Sequence, residues 1–479
     1  MTQSTLEPTK AATRWVVVLT ALGSLMAALD TLVVATALST IRLDLDASVE
    51  QLEWTVNSYN LTFAVLLITA AAVGDRYGRR RLYAVGLAIF TVASAAAALA
   101  PDVGWLIAAR AVQGAGAALV ITLGLALLSA AFPAEKRGAA IGIFSAITGL
   151  SVASGPLVGG AVVEGISWEW IFWVNLPIGL VAIPLVLSRI KESHGPDSAL
   201  DLGGLALVSG GAFGVVWALV RGNQAGWGSF EVVATLVGGL LLFAAFVAWE
   251  LRVREPMLPM SFFRSRAFSA GNGAIFLTLA SLFTGVFFFA QFLQTGLGHG
   301  PLGAGLRLLP WTATFMTVAP IAGALADRIG ERPLMSTGLA LEAVGLGWIA
   351  IIAEPGLSYS SMLAPFIVAG VGVSMAIPAA QNSVIGSVDP SAIGKAAGVN
   401  SMMRELGGVF GIAVTVAVFA AAGGYASAQD FVDGFAPAIA VAAVMAAVGA
   451  VVALGLPGRR PVPAVVDDVR PVLQPEGVA

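Results

Sequence analysis

Polar and apolar positions in this chain alternate on a scale of tens of residues. Long apolar runs end at short breaks rich in charge, glycine or proline. The runs predict fourteen membrane-spanning helices near 14–38, 54–73, 82–100, 105–130, 138–162, 169–188, 203–221, 231–249, 268–294, 304–324, 333–352, 360–384, 398–422 and 435–456. A spanning helix needs roughly 20 mostly apolar residues to cross a hydrocarbon layer about 30 Å thick. Period-two alternation, the mark of a transmembrane barrel, is absent from the runs, so barrels are excluded. The first run is longer than the apolar part of a signal peptide and is interrupted by Asp30, so it is read as a retained span.

The basic residues orient the spans. Of the 25 lysines and arginines, only Arg42, Arg221 and Arg307 fall on one face of the membrane, and Arg110 lies inside a span. All others fall on the opposite face, which the positive-inside rule makes cytoplasmic, together with both termini. Two breaks on that face repeat each other. Asp75-Arg76-Tyr77-Gly78-Arg79-Arg80 follows the second span and Asp327-Arg328-Ile329-Gly330-Glu331-Arg332 the tenth, both reading Asp-Arg-x-Gly-x-Arg. In each the glycine is expected to take the left-handed conformation of a tight turn, and the aspartate to accept hydrogen bonds from a neighbouring helix N-terminus. If the signature closes the second span of each half, the chain holds two six-helix repeats, 14–190 and 268–456. Between them lie two inserted helices in 191–250 and an amphipathic cytoplasmic linker at 251–267, expected to lie on the inner leaflet. The segments 1–13 and 457–479 are read as cytoplasmic tails, the second of them disordered.

Composition narrows the function. The chain is 58% hydrophobic and 11% charged, with a mean hydropathy of +0.89, so it needs lipid as its solvent. The absence of cysteine excludes disulfides, thiol catalysis and thiolate metal sites. His194 and His299 are too few for a metal cluster, and no metal is expected. There is no phosphate-binding glycine-rich motif for direct ATP use and no basic, aromatic-interleaved patch for nucleic acid. The scattered carboxylates form no catalytic constellation, so the chain is read as no enzyme.

Several segments, in this order and spacing, carry a family resemblance. They are Leu29-Asp30-Thr31 in the first span, Asp75 to Arg81 in the first repeat loop, Arg110-Ala111-Val112-Gln113-Gly114 in the fourth span and Gly155-Pro156-Leu157-Val158-Gly159-Gly160 in the fifth. The last is Trp168 to Gly179, leading into the sixth span. The chain resembles the major facilitator superfamily in its fourteen-helix drug:proton antiporter family, over nearly its whole length to about residue 456. It departs from the family pattern at Ala71 and Ser151, where glycine is common; both substitutes are small. The resemblance implies an all-α integral membrane protein of the major facilitator fold, two six-helix bundles with two additional central helices. It also implies proton-coupled export of lipophilic or cationic small molecules by a monomer in the bacterial inner membrane, with the proton as coupling ion and no cofactor. Two alternatives stay open: a dedicated exporter of one natural product, siderophore or lipid, and a non-transporting membrane sensor or lipid-handling module.

The chemistry-bearing candidates are polar residues inside apolar runs. An ionised Asp30 near a helix centre costs about 2.5–3.5 kcal/mol on insertion scales, so it is expected to face a cavity, a partner or a proton path. Low-dielectric surroundings favour a neutral carboxyl group, which gives proton uptake a physical handle on transport. At about 1.5 Å rise per residue, Arg110 lies roughly 8 Å below Trp105 and Asp30 roughly 12 Å below Leu38. The two are therefore expected to communicate, with Gln113 one turn deeper. The alternatives are a structural Asp30 and an Arg110 that merely pins the bundle. Glu342, about 13 Å into the eleventh span, is a candidate second protonation or cation site or a structural hydrogen-bond acceptor. Glu405 is a further coupling candidate, and Glu164 is read as a rim residue. Gly155, Pro156, Gly159 and Gly160 form a small-residue stripe for close helix crossing and gating, with Gly407, Gly408 and Gly411 in the corresponding span of the second half. Asp75, Arg76, Gly78, Arg79, Asp327 and Arg328 are the gating residues of the loops. Substrate contacts are sought among Trp54, Asn57, Tyr59, Phe63, Gln113, Phe283, Phe287, Gln291, Trp311, Phe315 and Met316. Gln381 and Asn382 join them, since amides facing lipid are costly.

Overall fold

The computed structural model describes residues 10–132, 147, 150–151, 154–195, 200–388 and 392–458. Among these residues fourteen helices follow one another. They are α1 (Lys10–Asp44), α2 (Val49–Tyr77), α3 (Arg79–Ala98), α4 (Val103–Ala131), α5 (described over 154–165), α6 (Trp170–Arg189), α7 (Leu202–Ala225), α8 (Phe230–Glu250), α9 (Arg266–Gln291), α10 (Pro301–Ile329), α11 (Glu331–Ile352), α12 (Tyr359–Ile385), α13 (Ile393–Ala422) and α14 (Ala428–Ala453). Thirteen are long and apolar enough to cross a membrane; the fourteenth is α5, most of whose predicted first half falls outside the described residues. Lys136, Arg137, Arg459, Arg460, Arg470 and most of both tails also lie outside them. The helices run past the predicted spans because polar caps outside the apolar core continue the backbone ladder. Ser48 and Gln51 form a capping box on α2, and Asp102, Asp201, Ser229, Ser265 and Ser427 cap later helices.

The two halves pack alike. α2 and α3 both lie on α4, and α3 also on α6; in the second half α10 and α11 lie on α12, and α11 on α14. α7 rests on α2 and α13, with α8 outside it. Val208, Ala212 and Val216 of α7 join Leu61 and Ala64 of α2 and Met402, Leu406 and Val409 of α13 in one apolar cluster, so the inserted pair covers the seam between the halves. The stretch after α8 is the predicted linker. It makes one short turn, Met260–Arg264, and Phe262 and Phe263 each pack 5.2 Å from the ring of Phe268. Met257 and Leu258 are buried, so the apolar side of this stretch is taken up by the protein.

The halves also meet at the end opposite the basic loops. A Cβ on Gly160 of α5 would lie 2.4 Å from the carbonyl oxygen of Pro301, and one on Gly305 of α10 2.2 Å from that of Pro156. Glu164 accepts a hydrogen bond from the Leu302 amide at 2.9 Å, and Gln294 donates to the Thr36 carbonyl at 3.0 Å. At this end the helices touch backbone to backbone, which small residues alone permit.

Candidate functional site

Asp30 and Arg110 meet inside the first bundle. Arg110 Nη1 donates to Asp30 Oδ2, and both side chains are only 1% exposed. Arg110 also donates to Gln113 Oε1 at 2.7 Å and, through Nε, to the Thr55 carbonyl at 3.2 Å. Gln113 Nε2 donates to Asp30 Oδ1 and to Ser94 Oγ, each at 2.8 Å. Asn175 Nδ2 closes the set, 3.5 Å from Asp30 Oδ1 and 3.4 Å from Ser94 Oγ. The guanidinium carbon sits 4.2 Å over the Tyr59 ring and 5.8 Å from that of Phe172, and the Tyr59 hydroxyl donates to the Ala27 carbonyl at 3.2 Å.

Five helices, α1, α2, α3, α4 and α6, thus converge on one carboxylate. Two charges removed from water carry a large desolvation penalty, which is offset only when geometry and extra hydrogen bonds satisfy the remaining donors and acceptors. Here three side chains serve Asp30, and the guanidinium has a carboxylate, an amide, a carbonyl and an aromatic face. The arrangement buries one carboxylate together with its counter-charge and two amide donors.

Close approach of α4 and α2 makes this possible. A Cβ on Gly114 would lie 2.4 Å from the Tyr59 carbonyl oxygen, an unyielding backbone atom. Gly114→Val should therefore push α2 off α4, lift Tyr59 from Arg110 and cost about 1–3 kcal/mol, the range of overpacking changes. A thermal melt of the purified variant checks this, and a midpoint equal to wild type would contradict it.

The other predicted residues are dispersed. Glu342 is buried between α11 and α9, where Ser281 donates to its Oε1 while Oε2 has no hydrogen-bond partner among the described residues. Glu405 is half-buried on α13, and it, Asp30 and Arg110 all lie within electrostatic reach of the Tyr59 hydroxyl. Gly155 of α5 lies against Leu32, and Gly159 against Val33 and Thr36 of α1. In the second half Gly407 and Gly411 of α13 lie against Phe276 and Ala280 of α9. The two stripes thus make equivalent crossings.

In the first repeat loop Gly78 has φ +109 and ψ 119, and Gly330 in the second φ +88 and ψ 164. Both φ values are positive, but the ψ values are too large for the expected left-handed turn and belong to backbone that favours glycine. Among the described residues no helix N-terminal amide donates to the Asp75 carboxylate, which pairs with Arg79 at 2.7 Å. Glu192 takes that place, accepting from the amides of Arg80 at 2.8 Å and Arg81 at 3.3 Å. The segment after α6 also straps the loop through Arg79 N to the Ser193 carbonyl and Gly195 N to the Asp75 carbonyl. Arg76 stacks on Tyr77 and Arg328 is exposed; the side chain of Asp327 lies outside the described residues.

The predicted substrate contacts fall into four settings. Tyr59 and Gln113 belong to the Asp30 network, and Phe63 packs 6.0 Å from the Tyr59 ring. Trp54 lies against Phe213 and Trp217 of α7, and Asn57 is buried at the seam. Phe283, Phe287, Gln291 and Trp311 are buried within the second bundle; Gln291 accepts from the Tyr425 hydroxyl, and burial pushes that hydroxyl up from its ordinary range. Phe315 is half-buried, and Met316, Gln381 and Asn382 are exposed.

Sequence reasoning passed over Asn175, Ser94, Thr55 and Glu192 as site residues. Asn175 had a usable signal, an amide within the apolar run Phe172-Trp173-Val174-Asn175-Leu176.

Many spans, two similarly packed halves and a buried ion pair in one of them define a helical membrane transporter. The chain belongs to the Major Facilitator Superfamily, whose model matches residues 20–293 and 271–475. It is 34% identical over 449 residues to the tetracenomycin C resistance and export protein of Streptomyces glaucescens, covering 92% of this chain and 83% of that one. It is 35% identical to the multidrug resistance protein Stp of Mycobacterium tuberculosis (84% and 75% covered) and 31% identical to the methylenomycin A resistance protein of Bacillus subtilis (84% and 86%). Among solved structures, a peptide transporter POT in complex with sulfate superposes with a TM-score of 0.66 at 14% identity, covering 92% of this chain and 96% of that one. That likeness concerns the fold alone.

Proposed function

We propose that the chain is a proton-coupled antiporter exporting lipophilic or cationic small molecules by alternating access, in a bacterial inner membrane with both termini in the cytoplasm. The observation that carries this reading is the Asp30 carboxylate held in a dry bundle by Arg110, Gln113 and Asn175. Taking up a proton cancels the charge that Arg110 balances, so the ion pair loosens and the helices it joins are freed to shift. Losing the proton restores the pair. Arg110 does not release protons itself and acts as a counter-charge. Glu405, near Tyr59, extends the charge-sensing group toward the second half, and Glu342 is a further acid there. The small-residue crossings of α5 with α1 and α10 serve as the gate at the end opposite the basic loops, and the strapped first repeat loop as its counterpart. The exposed Gln381, Asn382 and Met316 and the half-buried Phe315 supply polar and adaptable contacts for a substrate.

A membrane potential supplies about 2.3 kcal/mol per net charge per 100 mV, which drives export whenever more positive charge enters than leaves. A relative named as a tetracenomycin C resistance and export protein, and another as a methylenomycin A resistance protein, support outward movement of small organic molecules. The same single-antibiotic names favour a second reading, a dedicated exporter of one natural product. Purified protein in proteoliposomes, given a panel of lipophilic cations and antibiotics and an imposed pH gradient, separates these readings. Gradient-dependent movement of several compounds is expected. Movement of one compound would point to the dedicated exporter, and movement of none would overturn both.

A further inference from the structure

The Asp30 network satisfies its polar groups, whereas the face of α2 that meets α13 does not. Glu53, Asn57 and Asn60 stand at helical spacing on that face and are each at most 1% exposed. Glu53 Oε1 accepts from Asn57 Nδ2 at 3.1 Å, and the same amide nitrogen reaches the Val409 carbonyl of α13 at 3.5 Å. Glu53 Oε2, Asn57 Oδ1 and both polar atoms of the Asn60 side chain have no hydrogen-bond partner among the described residues. Unpartnered buried polar atoms are rare and costly, and four on one stripe call for a missing group.

The inventory says which group. A carboxylate and an amide oxygen only accept, so an ionised Glu53 adds another acceptor to a stripe already short of donors. One proton on Oε2 turns that atom into a donor and removes the charge from a dry seam. No counter-charge does this instead. Among the described residues the charged group acting on Glu53 is Glu50, of like sign and on the same helix. Arg221 of α7 acts on Glu50, Arg404 of α13 acts on its neighbour Glu405, and Arg110 of α4 is held by Asp30 on the opposite face of α2. Glu53 lies about one turn below the start of α2. Above it opens a cleft of about 530 Å³ lined by Arg42, Ser48, Glu50, Asn223 and Tyr425, among others.

We propose that Glu53 is a second proton-binding site, separate from Asp30, that holds a proton while the seam between α2 and α13 is shut and exchanges it with the cleft when the seam opens. The proton comes from water in the cleft, bonds to a carboxylate oxygen of Glu53 and leaves by the same cleft. Shutting the seam on an ionised Glu53 strands a charge, so acid favours the shut seam and alkali the open one. This rests on the alternating-access reading above, but its test does not depend on transport.

The chain has no cysteine, so spin labels on Val49→Cys and Ala426→Cys, which both line the cleft, report its width alone by pulsed electron spin resonance in nanodiscs. The ratio of wide to narrow distances should rise with pH, by up to about tenfold per unit, the limit for one linked proton. Glu53→Gln, the neutral isostere, should hold the narrow distance at every pH. Glu53→Asp, which keeps the acid, should retain a pH response and so controls for a fold defect, and Asp30→Asn should retain it too. A response that persists in Glu53→Gln, or one missing from the labelled parent, would overturn the proposal. A response lost in Asp30→Asn and kept in Glu53→Gln would assign the seam to Asp30, leaving the antiport reading intact and this one rejected.

Discussion

Arg110→Ala should be among the most damaging single substitutions in the first bundle. It strips the buried Asp30 of its counter-charge and leaves Gln113 Oε1, the Thr55 carbonyl and the Tyr59 ring facing an empty volume. Breaking a buried pair from one side costs about 3–5 kcal/mol, far more than the pair itself contributes, because the remaining charge is uncompensated. The thermal midpoint of the purified variant should fall steeply. Part of the loss should return on acidification, since a protonated Asp30 carries no charge to balance. Arg110→Ala combined with Asp30→Asn should be more stable at neutral pH than Arg110→Ala alone, a coupling that a double-mutant cycle reads directly. Equal midpoints for the single and double variants would mean that Arg110 fills space and pins helices without acting on Asp30.

What could be read from the residues alone follows from distance along the chain. Apolar runs and the asymmetry of basic loops are local signals, and they locate the helices to within a few residues at most ends. The Asp30 and Arg110 pairing was legible because two polar residues at matching depth in apolar helices have few places to go. Helix rotation is not a local property. Gln291 reads as a cavity amide, yet it turns to the Phe287 carbonyl and the Tyr425 hydroxyl within its own bundle. Glu53 stands beside Glu50 and Gln51 just before the predicted span 54–73 and is not singled out. It is buried, on the stripe whose Asn57 meets α13, and no pattern within α2 records that packing. Glu192 is similar: a loop carboxylate whose partners, the amides of Arg80 and Arg81, lie more than a hundred residues earlier. The glycines of the two repeat loops were legible as turn residues, but the surrounding chain sets their ψ. Gly78 is closed in by the Glu192 carboxyl group, a constraint invisible in the sequence.

Asp30→Asn bears most directly on how the molecule couples energy. Asparagine keeps the shape of the side chain and an oxygen for Arg110, Gln113 or Asn175, so the bundle should stay folded with a modest loss of stability. What it removes is the capacity to bind and shed a proton. The decisive measurement is accumulation of a transported compound against its own gradient in proteoliposomes under an imposed pH gradient, wild type beside Asp30→Asn, with ligand binding measured on both. The account predicts uphill accumulation by wild type, and retained binding with a concentration ratio settling near about 1 in the variant, the value without coupling. Uphill accumulation by Asp30→Asn at the wild-type level would contradict it.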